Sequence, residues 1–190
     1  MKKVTLGPET FIYPKPAFLI GANVNGKANF MTAAWSGIVN SEPPMISVSI
    51  RPQRHTIKGV RANGTFSVNI PAEDQIKEMD YCGIYSGLRE DKNTVCGFTV
   101  FYGKLDTAPM IEQCPVSLEC SVVHELELGT HFIFIGEIKE IHASEAVLTN
   151  GLPDVEKIRP IIYSHGAENL YHGLGKRLGP AHKAGMALKD

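Results

Sequence analysis

Residues 17–35 read AFLIGANVNGKANFMTAAW, two runs rich in β-formers joined by Asn25-Gly26. A two-residue type I′ turn needs positive φ at both central positions, which Asn and Gly tolerate. Asn-Gly between AFLIGANV (17–24) and KANFMTAAW (27–35) therefore predicts an antiparallel hairpin. The second strand is unusual in composition. Core strands are normally filled by β-branched and aromatic side chains, yet NFMTAAWSG (29–37) surrounds the single tryptophan, Trp35, with Thr32, Ala33, Ala34, Ser36 and Gly37. Small residues in a strand leave room for a closely approaching backbone or for a ligand.

Further strands follow on both sides of two helical segments. MISVSI (45–50) comes after Pro43-Pro44, and TFSVNI (65–70) ends at Pro71. Later come FTVFYG (98–103), VSLECSVVHELEL (116–128), HFIFIGEIKEIHA (131–143) and IIYS (161–164). FIFIGEI is almost continuously apolar, which predicts a strand buried on both faces. One helix is predicted from about Arg54 to Ala62, with Ile57 and Val60 on its inner face and Gly64 placed to stop it. A second is predicted from about Ala72 to Tyr81, with Ile76 and Met79 inward. Many strands, few helices and no repeat predict a mostly antiparallel β-barrel with peripheral helices. One domain over residues 1–190 is expected, with an irregular tail from about residue 165 that wraps the barrel or a partner.

The bulk properties bound the function. The chain has 190 residues, 43% hydrophobic and 21% charged, with 19 basic and 20 acidic residues giving a net charge of -1. That balance gives no overall field for nucleic acid or an anionic membrane. No run approaches the roughly 20 apolar residues of a membrane helix, and MKKVTLGPETF lacks the apolar core of a signal peptide. A cytoplasmic protein is expected. Cys82, Cys96, Cys114 and Cys120 form no C-x-x-C pair or zinc-like set, so reduced thiols and no metal are expected. A structural Cys82 is preferred over a redox one.

The densest chemistry is SVSIRPQRHTIKGV, which puts Ser49, Arg51, Arg54, His55 and Thr56 within eight residues at a strand end and a helix start. A helix N-terminus offers free N–H groups and the positive end of a dipole. Arginine adds a fork of donors that matches phosphate oxygens. The stretch reads as a pocket for a phosphate monoester, although G-x-x-x-x-G-K-[ST] is absent. The competing reading makes Arg51 and Arg54 solvated surface residues and Thr56 a helix cap.

Several separated motifs occur in one order: N-x-M-T-A-A-W-S-G, then P-P, then S-V-S-I-R-P-x-R-H-T, then G-x-F-S-V-N-I-P. They continue through YCGIYSGLREDK (81–92) to GTHFIFIGEI (129–138). Over roughly residues 10 to 175 this pattern resembles the flavin reductase-like, FMN-binding split-barrel family, and within it the flavoredoxins. The resemblance implies a six-stranded antiparallel split barrel that forms a homodimer with FMN near the subunit interface. It also implies that Asn29, Met31, Thr32, Ala33 and Ala34 line the flavin, while Ser49, Arg51, Arg54, His55 and Thr56 hold its phosphate. Lys92 is implied as a further contact. Trp35 reads either as core or as packed beside the ring.

His131 matches the histidine of the family's G-D-H motif, implied to sit by the flavin and a nicotinamide site, and otherwise reads as a strand-edge histidine. Thr130 stands where the motif has Asp, which weakens the reading of NAD(P)H use. Flavin chemistry asks the protein mainly for binding, orientation and electrostatics, so the lack of a triad or carboxylate pair does not exclude a redox role. Three functions compete: a carrier with tightly bound FMN serving a redox protein partner, an NAD(P)H-dependent flavin reductase, and a non-redox barrel for another phosphorylated ligand. The motif set favours the first.

Overall fold

The computed structural model describes residues 1–189. The predicted hairpin is present. β1 (Phe18–Val24) and β2 (Lys27–Ala33) pair antiparallel, Phe18 opposite Ala33, across Asn25 at φ 52° and Gly26 at φ 78°. β3 (Ser36–Ser41) and β4 (Pro44–Ile50) follow, then α1 (Thr56–Asn63), β5 (Thr65–Ile70), α2 (Ile76–Ile84) and α3 (Lys92–Cys96). Two long strands, β6 (Val116–Leu128) and β7 (His131–Ala143), complete a seven-stranded antiparallel sheet.

The order across the sheet is β2-β1-β5-β6-β7-β4-β3. Its two outer strands, β2 and β3, are consecutive in the chain and joined by Ala34 and Trp35 alone. Three peptide steps reach at most roughly 11 Å, so the sheet must curl until its edges meet. The Ser49 amide donates to the Trp35 carbonyl at 2.9 Å and fastens the link to β4. The result is a barrel closed by the chain rather than by a full strand ladder. It has one strand more than the expected six. The extra one is β3, SGIVNS, in which only Ile38 and Val39 are β-formers between Ser, Gly and Asn, too short a run to read as a strand alone.

Inside lie Ile20, Met31, Val48, Phe66, Val68 and Phe134, with Ile57 and Val60 of α1 closing one end. Each such side chain contributes roughly 1.5–3 kcal/mol on burial. Gly136 makes room for the Phe66 ring, since a Cβ there would stand 2.5 Å from it. A second apolar cluster of Leu19, Phe30, Met79, Cys82 and Ile111 fixes α2 outside the β1–β2 hairpin.

Several boundaries differ from expectation. The second helix begins as a 3-10 turn at Glu73–Gln75 and buries Met79 and Cys82, while Ile76 in the opening turn is 39% exposed. The strand expected over 98–103 shrinks to Val100–Phe101, paired with Met110–Ile111. Beyond it the chain turns away, because buried Glu119 accepts from the Lys104 and Leu105 amides at 2.9 and 2.6 Å. β7 is not buried on both faces. Phe134 and Gly136 point inward, whereas Ile133 and Ile135 are only partly covered. The region expected to be irregular carries a strand at Leu170–His172, paired with Ile162–Ser164, which pairs in turn with Lys15–Pro16.

Candidate functional site

α1 begins where β4 ends, and the turn between them delivers Arg51, Arg54, His55 and Thr56 to one side of a cleft. This cleft, about 310 Å³, is also lined by Met31, Tyr85, Ser86 and Lys92. No side chain caps α1 and no acidic residue stands in its first turn, so the positive helix end faces the cleft uncompensated. Lys92 is 4% exposed and donates to the carbonyls of Phe30 at 2.6 Å and Cys82 at 3.0 Å. Arg54 donates to the Gly83 carbonyl at 2.6 Å. Among the described residues, Arg51, Arg54 and Lys92 take part in no ion pair.

This crowding disfavours the charged forms of Arg54, Lys92 and His55. Burial, and then the neighbouring Arg51, pull the Arg54 guanidinium below its ordinary value. Burial lowers Lys92 as well, with Cys82 pushing back and Arg54 adding to the fall. His55 is lowered by burial, Lys58 and Lys92. Buried cations without carboxylates are costly unless an anion joins them, so this end is built for a negative group. Thr56 is 1% exposed, and its hydroxyl accepts from Asn29 at 2.7 Å. Asn29 itself lines a neighbouring groove with His55, Gly87 and Lys92.

Met31, Arg51 and Arg54 also line an adjoining cleft of about 400 Å³. Its walls include Thr32, Ala33, Ala34, Trp35, Ser49 and His131, so the cleft runs along the small-residue end of β2 and the link that follows it. Trp35 is not core. It is 39% exposed and stacks on His131 with ring centres 4.5 Å apart. Arg51 Nε approaches His131 Nε2 at 3.4 Å, and Thr130 Oγ1 lies 2.9 Å from His131 Nδ1. Since Arg51 can only donate, Nε2 accepts and Nδ1 carries the hydrogen toward Thr130. Burial and Arg51 both hold His131 below its ordinary value, which favours this neutral ring. The motif's Asp at position 130 would have favoured a charged one.

Every residue named from the sequence thus lies in this trench or directly behind it. Thr10, Tyr163 and His165 complete the wall of the larger cleft and were not foreseen. They reach it because Lys15 pairs with Tyr163, a contact across almost 150 positions that no local pattern signals. The four cysteines are free. Burial pushes the Cys82 thiol up to about 12, which suits a structural role. No group of three or more metal-ligating side chains occurs among the described residues, nor does a helix long and apolar enough to cross a membrane.

A curled antiparallel barrel with a cationic trench along a small-residue strand defines a class, and comparison agrees. The chain belongs to the flavin reductase like domain family, whose pattern matches residues 10–168. It is similar to the flavoredoxin of Methanosarcina acetivorans, 42% identical with a TM-score of 0.94, over 99% of this chain and 100% of that one. It is also similar to the flavoredoxin of Desulfovibrio vulgaris (Miyazaki F), 38% identical with a TM-score of 0.90, over 97% and 100% of the two chains. A protein of Archaeoglobus fulgidus is 33% identical over 145 residues, 76% of this chain and 81% of that one.

Proposed function

We propose that the protein is an FMN-binding flavoprotein of the flavoredoxin type that transfers electrons through a tightly held FMN. The observation that carries this reading is the cation set at one end of the trench, buried Lys92, half-buried Arg54 and exposed Arg51, none paired with a carboxylate among the described residues, while the other end is walled by small residues and a stacked Trp-His pair. A phosphate monoester joined to a flat ring has that polarity. Arg51, Arg54, His55, Lys92 and the start of α1 would hold the phosphate, with Ser49 alongside. Met31, Thr32, Ala33, Ala34 and Trp35 would form the bed of the ring. Asn29 fixes Thr56 from behind. When bound, FMN supplies a centre that accepts and passes on one or two electrons.

The residues themselves bind, orient and shield. Thr130 and Arg51 favour the neutral tautomer of His131, with the hydrogen on Nδ1, beside the proposed ring site. A redox protein partner is the proposed exchange partner. NAD(P)H-dependent reduction of a releasable flavin is a second reading, favoured by the placement of His131 on the cleft wall. Homodimer formation and a cytoplasmic location belong to the same proposal. The test is the visible absorption of the purified protein after gel filtration with no flavin added. Retained flavin bands are expected, and a colourless protein that takes up no added FMN would overturn the site.

A further inference from the structure

Opposite Trp35 and His131, the larger cleft is walled by Thr10, Tyr163 and His165, none of which has a part in the phosphate end. Behind them lies Lys15, only 3% exposed. Its ammonium donates to the Thr10 carbonyl at 2.8 Å and meets His165 Nδ1 at 2.5 Å. No carboxylate pairs with it among the described residues. His165 Nε2 lies 3.0 Å from Thr10 Oγ1. The imidazole is held between the rings of Phe11 and Tyr163, at 5.3 and 6.3 Å between centres.

The donor inventory gives this row one direction. A lysine ammonium has hydrogens and no lone pair to accept with. His165 Nδ1 must therefore accept, and the hydrogen of the neutral ring stands on Nε2. Nε2–H then donates to the Thr10 hydroxyl. With an acceptor site filled, that hydroxyl is left to donate its own hydrogen, and Thr10 lines the cleft. Hydrogen bonds in a row polarise one another, most strongly with a charge at the base.

We propose that Lys15, His165 and Thr10 form a one-way hydrogen-bond chain that presents a polarised donor to the reducible ligand of the cleft and binds its reduced, more negative form preferentially. Thr10 is the contacting group, and His165 and Lys15 are positioning residues. The inference rests on the cleft taking FMN as proposed above. A purely mechanical role, in which the same bonds tie the N-terminal segment to the strand at Ile162–Ser164, is the competing explanation.

The two are separated by measuring the dissociation constants of oxidised and of reduced FMN for the wild type, Thr10→Val, Thr10→Ser and Lys15→Met. Thr10→Val keeps the shape and removes only the hydroxyl. It should weaken reduced FMN roughly tenfold relative to oxidised FMN, the scale of a hydrogen bond to a charged group. Thr10→Ser should restore the ratio, and Lys15→Met should lower it in the same direction. A wild type that binds FMN while Thr10→Val leaves the ratio unchanged, or weakens both forms equally, overturns the chain alone. A wild type that binds neither form overturns the chain and the FMN reading together.

Discussion

At the scale of single residues, the site is organised by donors that have nowhere else to go. Lys92 spends two of its three hydrogens on backbone carbonyls, and Arg54 spends one on Gly83. The rest of each charge faces the trench. Arg54→Ala removes a half-buried cation whose main partner is the incoming anion, so FMN affinity should fall by roughly 10- to 100-fold, from about 1.5–3 kcal/mol for a charge-assisted bond. Fluorescence titration of the apoprotein reads this directly. Unchanged affinity would move the phosphate elsewhere. Thr56→Ala is a less clean probe, since it also strips the buried Asn29 amide of its acceptor. The arginines and Thr56 were legible in the sequence as a cluster at a helix start. The direct bond between Asn29 and Thr56 was not, because nothing local links positions 27 apart.

At the scale of elements, the long strands were legible because their composition and turns agree. β5, β6 and β7 fall at the predicted limits, and Gly64 ends α1 at φ 64°. α3 was not legible. It has five residues, includes β-branched Thr94 and Val95, and depends on the Asp91 carboxylate accepting from the Asn93 and Thr94 amides. α1 offers a sharper test. Alanine normally improves a helix interior over glycine by up to about 1 kcal/mol. Gly59, however, faces the backbone of β1, and a Cβ there would meet the Asn23 carbonyl oxygen at 2.4 Å. Gly59→Ala should therefore destabilise, by about 1–3 kcal/mol. It should also loosen FMN, because α1 carries His55 and Thr56 to the trench. Denaturant unfolding gives the sign, and a stabilised variant would show that helix and hairpin are less closely packed than described.

For the whole molecule, one face of the barrel is unfinished. His131, Ile133 and Ile135 of β7 stand opposite Leu128, Leu126 and His124 of β6, and Ile133 stands opposite Ser49 of β4. These side chains share the outer face of the sheet, where Leu126 is 49% and Leu128 is 58% exposed. The near-continuous apolar run of β7 had predicted burial on both faces, and a single chain provides only one. A contiguous apolar patch of this kind marks an interaction surface. Ser49 and His131 belong both to this face and to the cleft, so a second copy packed here would border the flavin. Gel filtration with light scattering should give a dimer. Leu126→Lys with Ile133→Lys should give a monomer, since unpaired buried charges at the centre of an interface cost several kcal/mol. That monomer should release FMN while its far-UV spectrum stays native. A monomeric wild type that still retains flavin would mean that one chain completes the site, and the exposed leucines of β6 would then need another partner.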